Sequence, residues 1–354
     1  MTTTLTKDHK VSRTSLVITS ISAPSAVLKH YAEMCRTHEI DFIVIGDHSS
    51  PSSFSLKDCD YWSLDRQKKL PLRLAEIIPE RHYARKNIGY LLAAQRGSQV
   101  IIETDDDNIP RDIFWAPRLP ETNGYLIENA GWLNVYRYFS GNSIWPRGFP
   151  LQEVHKPVPD FDKLPHVRKF APIQQGLADE NPDVDAVYRL LFPLPQYFED
   201  KTGPILLGKG TLCPFNSQNT TWFSEAFPLM YLPSCCSFRM TDIWRSFIAQ
   251  RICWENNWDI MFHRPTVWQE RNQHDLLIDF NDEVIGYLNN AKICEKLQTI
   301  KLESGVHNLT ENIFRCYQVF ISCGFIREEE LSYLNAWLLD IADIQSSNSQ
   351  RTGI

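Results

Sequence analysis

Apolar and polar positions along the chain fall into a strand–helix–strand alternation over the first third. Ser15 to Ser20 is a short apolar run and predicts a buried strand. Ser25 to His38 follows with Val27, Leu28, Tyr31 and Met34 at helical spacing, and Pro24 suits the entry to a helix. Asp41 to Gly46 predicts a second strand, ending at Asp47 and followed by a polar loop, His48 to Ser55. Arg81 to Arg96 predicts a helix, with Ile88, Leu91, Leu92 and Gln95 toward one side. Gln99 to Thr104 predicts a third strand, which runs directly into Asp105. Strands that alternate with helices imply a parallel, doubly wound sheet. Such sheets bind ligands beyond the carboxyl ends of their strands. Asp47 and Asp105 both follow predicted strand ends, so two separate elements point to one rim.

The middle of the chain, Asn134 to Trp268, predicts short strands and long loops rich in Pro, Gly and aromatics. From Asp279 to Ile344 the spacing turns helical, with Gly324 as a break between two helices. The expected class is α/β, a doubly wound and mainly parallel sheet with helices on both faces and a C-terminal helical extension. The expected division is a sheet domain over 15–275, a helical extension over 276–345, and flexible tails at 1–14 and 346–354.

Composition narrows the function classes. The chain has 354 residues, 22% charged and 43% hydrophobic, which is ordinary for a globular protein. A net charge of -7 argues against nucleic acid and anionic membrane surfaces as partners. Nine cysteines without metal-like CxxC spacing read as reduced thiols of a cytoplasmic protein. The polar start, Met1 to Thr14, lacks an apolar signal core, and no apolar run is long enough to span a membrane. Asn219-Thr-Thr and Asn308-Leu-Thr match the glycosylation-acceptor pattern by chance.

The chemistry concentrates in Asp105, Asp106 and Asp107. Three successive carboxylates raise each other's pKa unless a cation compensates them. Mg²⁺ and Mn²⁺ prefer carboxylate oxygens and accept substrate phosphates as further ligands. Asp105 and Asp107, two apart at a strand end, can flank one such ion, and a diphosphate can complete its shell. Arg147, on a bend before Gly148 and Pro150, is a candidate for phosphate in two-point geometry. Arg85 and Lys86, near the start of the preceding helix, are further phosphate candidates. Asp242, at a helix start, reads either as a cap or as a general base toward an acceptor hydroxyl.

Several stretches, in order, resemble one family. Asn134 to Tyr136 with Trp145 to Pro150 resemble the plant reversibly glycosylated polypeptides, which are UDP-arabinopyranose mutases, and resemble still more the STELLO glycosyltransferase-like proteins. Asp41 to Asp47, Arg85 to Tyr90, Val184 to Val187, Lys209 to Leu212 with Pro214 and Asn219, and Arg239 to Trp244 are similar in type and spacing. The resemblance covers Ser15 to Asn272, and the chain from Asp279 resembles the helical tail of the STELLO type. It implies the GT-A nucleotide-sugar fold, Mn²⁺ or Mg²⁺ on the aspartates, and a UDP-linked donor sugar passed to a hydroxyl acceptor. It also implies nucleotide-sugar contacts at Asp47, Arg85, Lys86, Asp105, Asp106, Arg147 and Asn219. One departure is informative: the mutases place a glycosylated arginine seven residues before Arg147, where this chain has Ser140. Arg137 is three residues further back, about 10 Å on an extended strand. The mutases also carry a histidine near Gln269, which leaves His274 or His263 as the third metal ligand here. The expectation is therefore a metal-dependent glycosyltransferase. The rival readings are a sugar-nucleotide mutase and a non-catalytic scaffold that meets a protein partner through its C-terminal helices.

Overall fold

The computed structural model describes residues 12–200, 202–270 and 275–352. Its first unit is β1 (Thr14–Thr19), α1 (Ala26–Thr37), β2 (Asp41–Ile45) and β3 (Asp60–Trp62). The short helices α2 (Leu64–Gln67) and α3 (Arg73–Ile77) lead to α4 (Lys86–Gln95) and β4 (Val100–Thr104). β3, β2, β1 and β4 lie side by side in that order, all parallel. The expected strand–helix alternation is therefore present, with the strands and α1 within one residue of their expected limits. The helix expected from Arg81 begins only at Lys86, because Asp47 holds the Arg81 and His82 N–H groups in a turn and Tyr83–Arg85 form a short 3-10 turn before it. Ser25 caps α1 by accepting the Leu28 N–H at 3.1 Å.

The alternation of side chains along β1 and β2 explains helices on both faces. Leu16, Ile18, Phe42 and Val44 pack toward α1 with Leu28 and Tyr31. Val17, Ile43 and Ile45 pack toward α4 with Ile88 and Leu91. A Cβ on Gly89 of α4 would lie 2.5 Å from Val17, so the glycine permits this close approach.

The sheet continues beyond β4 as a mixed one. Its strands are β5 (Asn108–Pro110), β6 (Glu121–Ile127), β8 (His166–Phe170), β9 (Ile173–Asp179), β10 (Ile205–Leu207), β12 (Asn219–Phe223) and β13 (Ile260–Gln269). The order runs β3-β2-β1-β4-β12-β9-β13-β10-β6-β8, with β5 paired to β13. β12 is antiparallel to both β4 and β9, while β13 and β9 are parallel. β7 (Gly131–Trp132) and β11 (Thr211–Leu212) form a separate pair.

Helices α5 (Ala186–Leu191) and α6 (Thr241–Glu255) precede the C-terminal group α7 (Leu276–Thr299), α8 (Leu309–Ser322) and α9 (Glu330–Thr352). Gly324, at φ 74°, separates α8 from α9 as expected. α9 runs on to Thr352, past the polar tail expected from Ser346. Asn348 helps to anchor that last stretch by donating to the Ala94 carbonyl at 2.9 Å. Each of the nine cysteines is free. Among the described residues no helix is long and apolar enough to cross a membrane.

Candidate active site

Parallel strands β1, β2 and β4 end on one rim, and a cleft of about 580 Å³ opens there. Ser20 follows β1, Asp47 follows β2 and Asp105 follows β4, and all three line the cleft. The cleft is rich in both charges. Besides Asp47 and the aspartate triplet it holds Asp183, Asp242 and five arginines.

The triplet is held by its neighbours. Lys86, fully buried, donates to the Thr104 carbonyl at 2.8 Å, to Tyr83 Oη at 3.0 Å and to Asp105 Oδ1 at 3.3 Å. Ser20 Oγ donates to Asp106 Oδ2 at 2.5 Å. Gln269 Nε2 donates to Asp107 Oδ1 at 3.0 Å, which brings the end of β13 to the end of β4. Burial pushes the Asp105 carboxyl up to about 7; Lys86 opposes the rise, and Asp107 and Asp106 add to it. One lysine thus fails to compensate three carboxylates. That surplus charge suits a divalent cation between Asp105 and Asp107. Among the described residues no group of three or more His, Cys, Asp or Glu could hold a metal ion unaided. The remaining ligands would be substrate phosphates and water, the usual company of Mg²⁺. His274 lies outside the described residues. His263 is away from the cleft, with Nδ1 2.9 Å from the Arg264 carbonyl.

The other expected residues have different work. Arg147 carries five N–H donors. Its Nε and Nη2 meet Asp183 at 2.8 Å each, and Nη1 and Nη2 meet Asp242 at 3.0 and 2.9 Å. The last N–H goes to the Arg239 carbonyl. All five donors are engaged, so Arg147 has none to offer a phosphate. Gly148 at φ 84° lets the chain turn here, and any Cβ on it would lie 2.4 Å from Ile243. Asp242 sits in the first turn of α6 and also accepts from Ser217 N at 3.1 Å and Ser217 Oγ at 3.2 Å. Burial raises its pKa, but Arg147 outweighs that and holds the carboxyl at about 2. Such a group is a weak proton acceptor, which argues against the general-base reading.

Arg85 lines the cleft but is 2% exposed. Its Nε and Nη2 donate to Gln67 Oε1 and its Nη1 to the Ile78 carbonyl. Lys86 lies beneath the floor as the counter-ion of Asp105 rather than as a phosphate ligand. Asn219 is interior to the sheet, donating to the Leu177 carbonyl at 3.0 Å and Thr266 Oγ1 at 2.8 Å, and does not reach the cleft. Asp47 accepts three backbone N–H groups, from His48 at 2.7 Å and from Arg81 and His82 at 2.9 Å each. It therefore ties the loop after β2 to the turn before α4.

Residues that the sequence pattern did not single out complete the site. Asp183 and Ser217 come from loops far along the chain, while Arg81 and Tyr83 lie just before Arg85 in the turn that leads to α4. Arg239 donates to Glu283 of α7 at 2.9 and 2.7 Å, so the C-terminal helices brace the cleft. A connected chain runs Glu283, Arg239, Arg147, Asp242, Ser217, Tyr83, Lys86, Asp105.

Comparison with known proteins agrees with the resemblance. Residues 239–350 match the family model of the STELLO glycosyltransferases. Two Arabidopsis thaliana proteins, named "Probable glycosyltransferase STELLO2" and "Probable glycosyltransferase STELLO1", are 29% and 27% identical. These alignments cover 84% and 92% of this chain, and 41% and 44% of those proteins. The chain thus spans less than half the length of the curated relatives it matches. Among solved structures, one titled "Crystal Structure of a Mycobacterial Protein" aligns at 11% identity over 79% of this chain and 75% of that one, with a TM-score of 0.43. The M. tuberculosis glucosyl-3-phosphoglycerate synthase aligns at 11% identity over 79% of this chain and 81% of its own, with a TM-score of 0.38. The fold is given by the strand order β3-β2-β1-β4-β12-β9-β13-β10-β6-β8. By sequence, this chain is similar to the STELLO glycosyltransferases.

Proposed function

We propose that the chain is a glycosyltransferase that moves a sugar from a UDP-linked donor to a hydroxyl acceptor with the help of Mn²⁺ or Mg²⁺. The observation that carries this reading is the aspartate triplet at the carboxyl end of β4, inside a cleft formed by the ends of three parallel strands. Asp105 and Asp107 would hold the metal, which neutralises the diphosphate as the sugar–oxygen bond breaks. Lys86 fixes Asp105 from below, and Gln269 fixes Asp107 from the side. Asp106 is tied to the end of β1 through Ser20. Arg147, which also binds Asp183, holds Asp242 as a charged wall of the cleft, so Asp242 orients rather than deprotonates. The mutase reading needs a guanidinium near Ser140. Ser140 Oγ instead accepts the Asn142 N–H at 3.1 Å, and neither Ser140 nor Arg137 lines the cleft.

The test is UDP binding by calorimetry, with Mn²⁺ and with EDTA, to the wild type and to Asp107→Asn. Wild type with Mn²⁺ should bind at least about tenfold more tightly than in the other three arms, a difference of roughly 1.4 kcal/mol. Equal affinity in all four arms would sink the reading.

A further inference from the structure

Five arginines line the cleft. Arg147 is held by Asp183 and Asp242, and Arg239 by Glu283. Arg85 is held by Gln67 and the Ile78 carbonyl, and Arg189 donates to the Pro182 carbonyl at 2.9 Å. Arg81 differs from these four. It is exposed, and among the described residues its guanidinium has no hydrogen bond, ion pair or ring contact.

Its backbone is unusual as well. Arg81 has φ 56°, in the left-handed region that residues with a Cβ rarely occupy. Asp47 enforces that turn, with Oδ1 accepting the Arg81 N–H and Oδ2 the His82 N–H, each at 2.9 Å. A carboxylate at the end of β2 therefore fixes the backbone from which Arg81 projects. Strain of this kind persists where the surroundings over-determine it, and it gathers at ligand sites.

We propose that Arg81 is the cationic contact for the diphosphate of the donor. This rests on the nucleotide-sugar reading above. The aspartates alone would repel a diphosphate, and the other four arginines are paired or bonded to the protein. A guanidinium presents two parallel N–H groups, which match two phosphate oxygens. Asp47 then contributes to donor binding indirectly, as the positioning residue for Arg81.

The experiment compares the wild type with Arg81→Gln, Arg81→Lys and Arg81→Gly by calorimetry in Mn²⁺, using UDP, inorganic pyrophosphate and uridine, alongside thermal melting. Arg81→Gly separates the two roles of the position, because glycine relieves the backbone strain and removes the guanidinium. It should melt at or above the wild-type temperature yet bind UDP and pyrophosphate at least tenfold more weakly. Arg81→Gln should show the same loss of affinity, and Arg81→Lys a smaller one. Uridine, which has no phosphate, should bind all four proteins equally. If Arg81→Gln and Arg81→Gly bind UDP as the wild type does while Asp107→Asn loses it, the Arg81 contact is overturned and the nucleotide reading survives. If only pyrophosphate depends on Arg81, the residue serves a free or acceptor phosphate and the inference falls. If the wild type binds neither UDP nor pyrophosphate, both readings fall together.

Discussion

At the scale of residues, one carboxylate shows how pairing decides chemistry. Asp242 looks from the sequence like a cap or a base, since its place at a helix start fits both. The structure gives it a buried ion pair with Arg147, and Asp183 shares the guanidinium. Its carboxyl sits at about 2, below the ordinary 3.8, so the folded protein favours its charged form. A depressed folded pKa contributes stability that is present above 3.8 and is lost as the pH falls toward 2. That difference corresponds to about 2 kcal/mol. Asp242→Asn should therefore unfold at lower urea than the wild type at pH 6, and the gap should shrink as both are titrated from pH 4 to pH 2. A gap that is constant with pH would show that the charge of Asp242 contributes nothing to stability. A variant as stable as the wild type but slower in sugar transfer by about 10²-fold or more would restore the general base. The aspartate triplet was legible because its chemistry is local: three acids after an apolar strand. Arg147 was visible as an arginine on a bend, but its acceptors lie 36 and 95 residues away. No spacing along the chain could count them.

At the scale of elements, strands were easier to read than the helices behind them. β1, β2 and β4 are short apolar runs that end in polar residues, so both their limits and their ligand-facing ends follow from composition. α4 was expected to bury one side. It is buried from Lys86 to Ala94, because β1 and β2 cover one face and α9 packs on another. That second cover comes from residues more than two hundred positions later. α7 carries the same lesson into the site. Glu283 is fully buried and accepts from Arg239 Nε and Nη2, from the Ala186 N–H at 2.7 Å and from Tyr287 Oη at 2.5 Å. Glu283→Gln keeps the shape and removes the charge opposite a buried guanidinium. Breaking such a pair costs about 3 kcal/mol or more, so the melting temperature should fall by several degrees. Because the Arg239 carbonyl braces Arg147, UDP affinity should fall as well, whereas Glu295→Gln, exposed on the same helix, should change neither. A Glu283→Gln protein with wild-type melting would show that α7 only leans on the cleft.

At the scale of the molecule, the sheet region and the C-terminal helices share one core. The same cluster of buried side chains includes Val17 and Ile43 of the first strands, Trp244 of α6, and Trp337 of α9. Trp337 donates its indole N–H to the Pro228 carbonyl at 3.0 Å, and its ring lies 5.9 Å from that of Tyr231. Asp340 accepts the Leu74 N–H at 2.9 Å and pairs with Arg73, which fastens α9 to α3. Hydrophobic spacing announced these helices but gave no sign of what they cover, since a periodic apolar face looks the same whether it packs on a neighbour or on another protein. The energetics decide whether the region can be removed. Ile293, Leu297, Ile313, Tyr317, Phe320, Leu334 and Trp337 are each at most 1% exposed. Burying seven such side chains contributes about 10–20 kcal/mol at roughly 1.5–3 kcal/mol each. That is as large as the whole net stability of a typical protein, about 5–15 kcal/mol. A chain ending at residue 275 should therefore fail to fold: it should aggregate or bind a hydrophobic dye, and it should show no cooperative melting. The chain through residue 352 should melt in one transition, because the sheet and the C-terminal helices share the larger of its cores. A shortened chain that stays soluble, melts cooperatively and binds UDP would show that the helices are separable and that the network from Glu283 to Asp105 is dispensable.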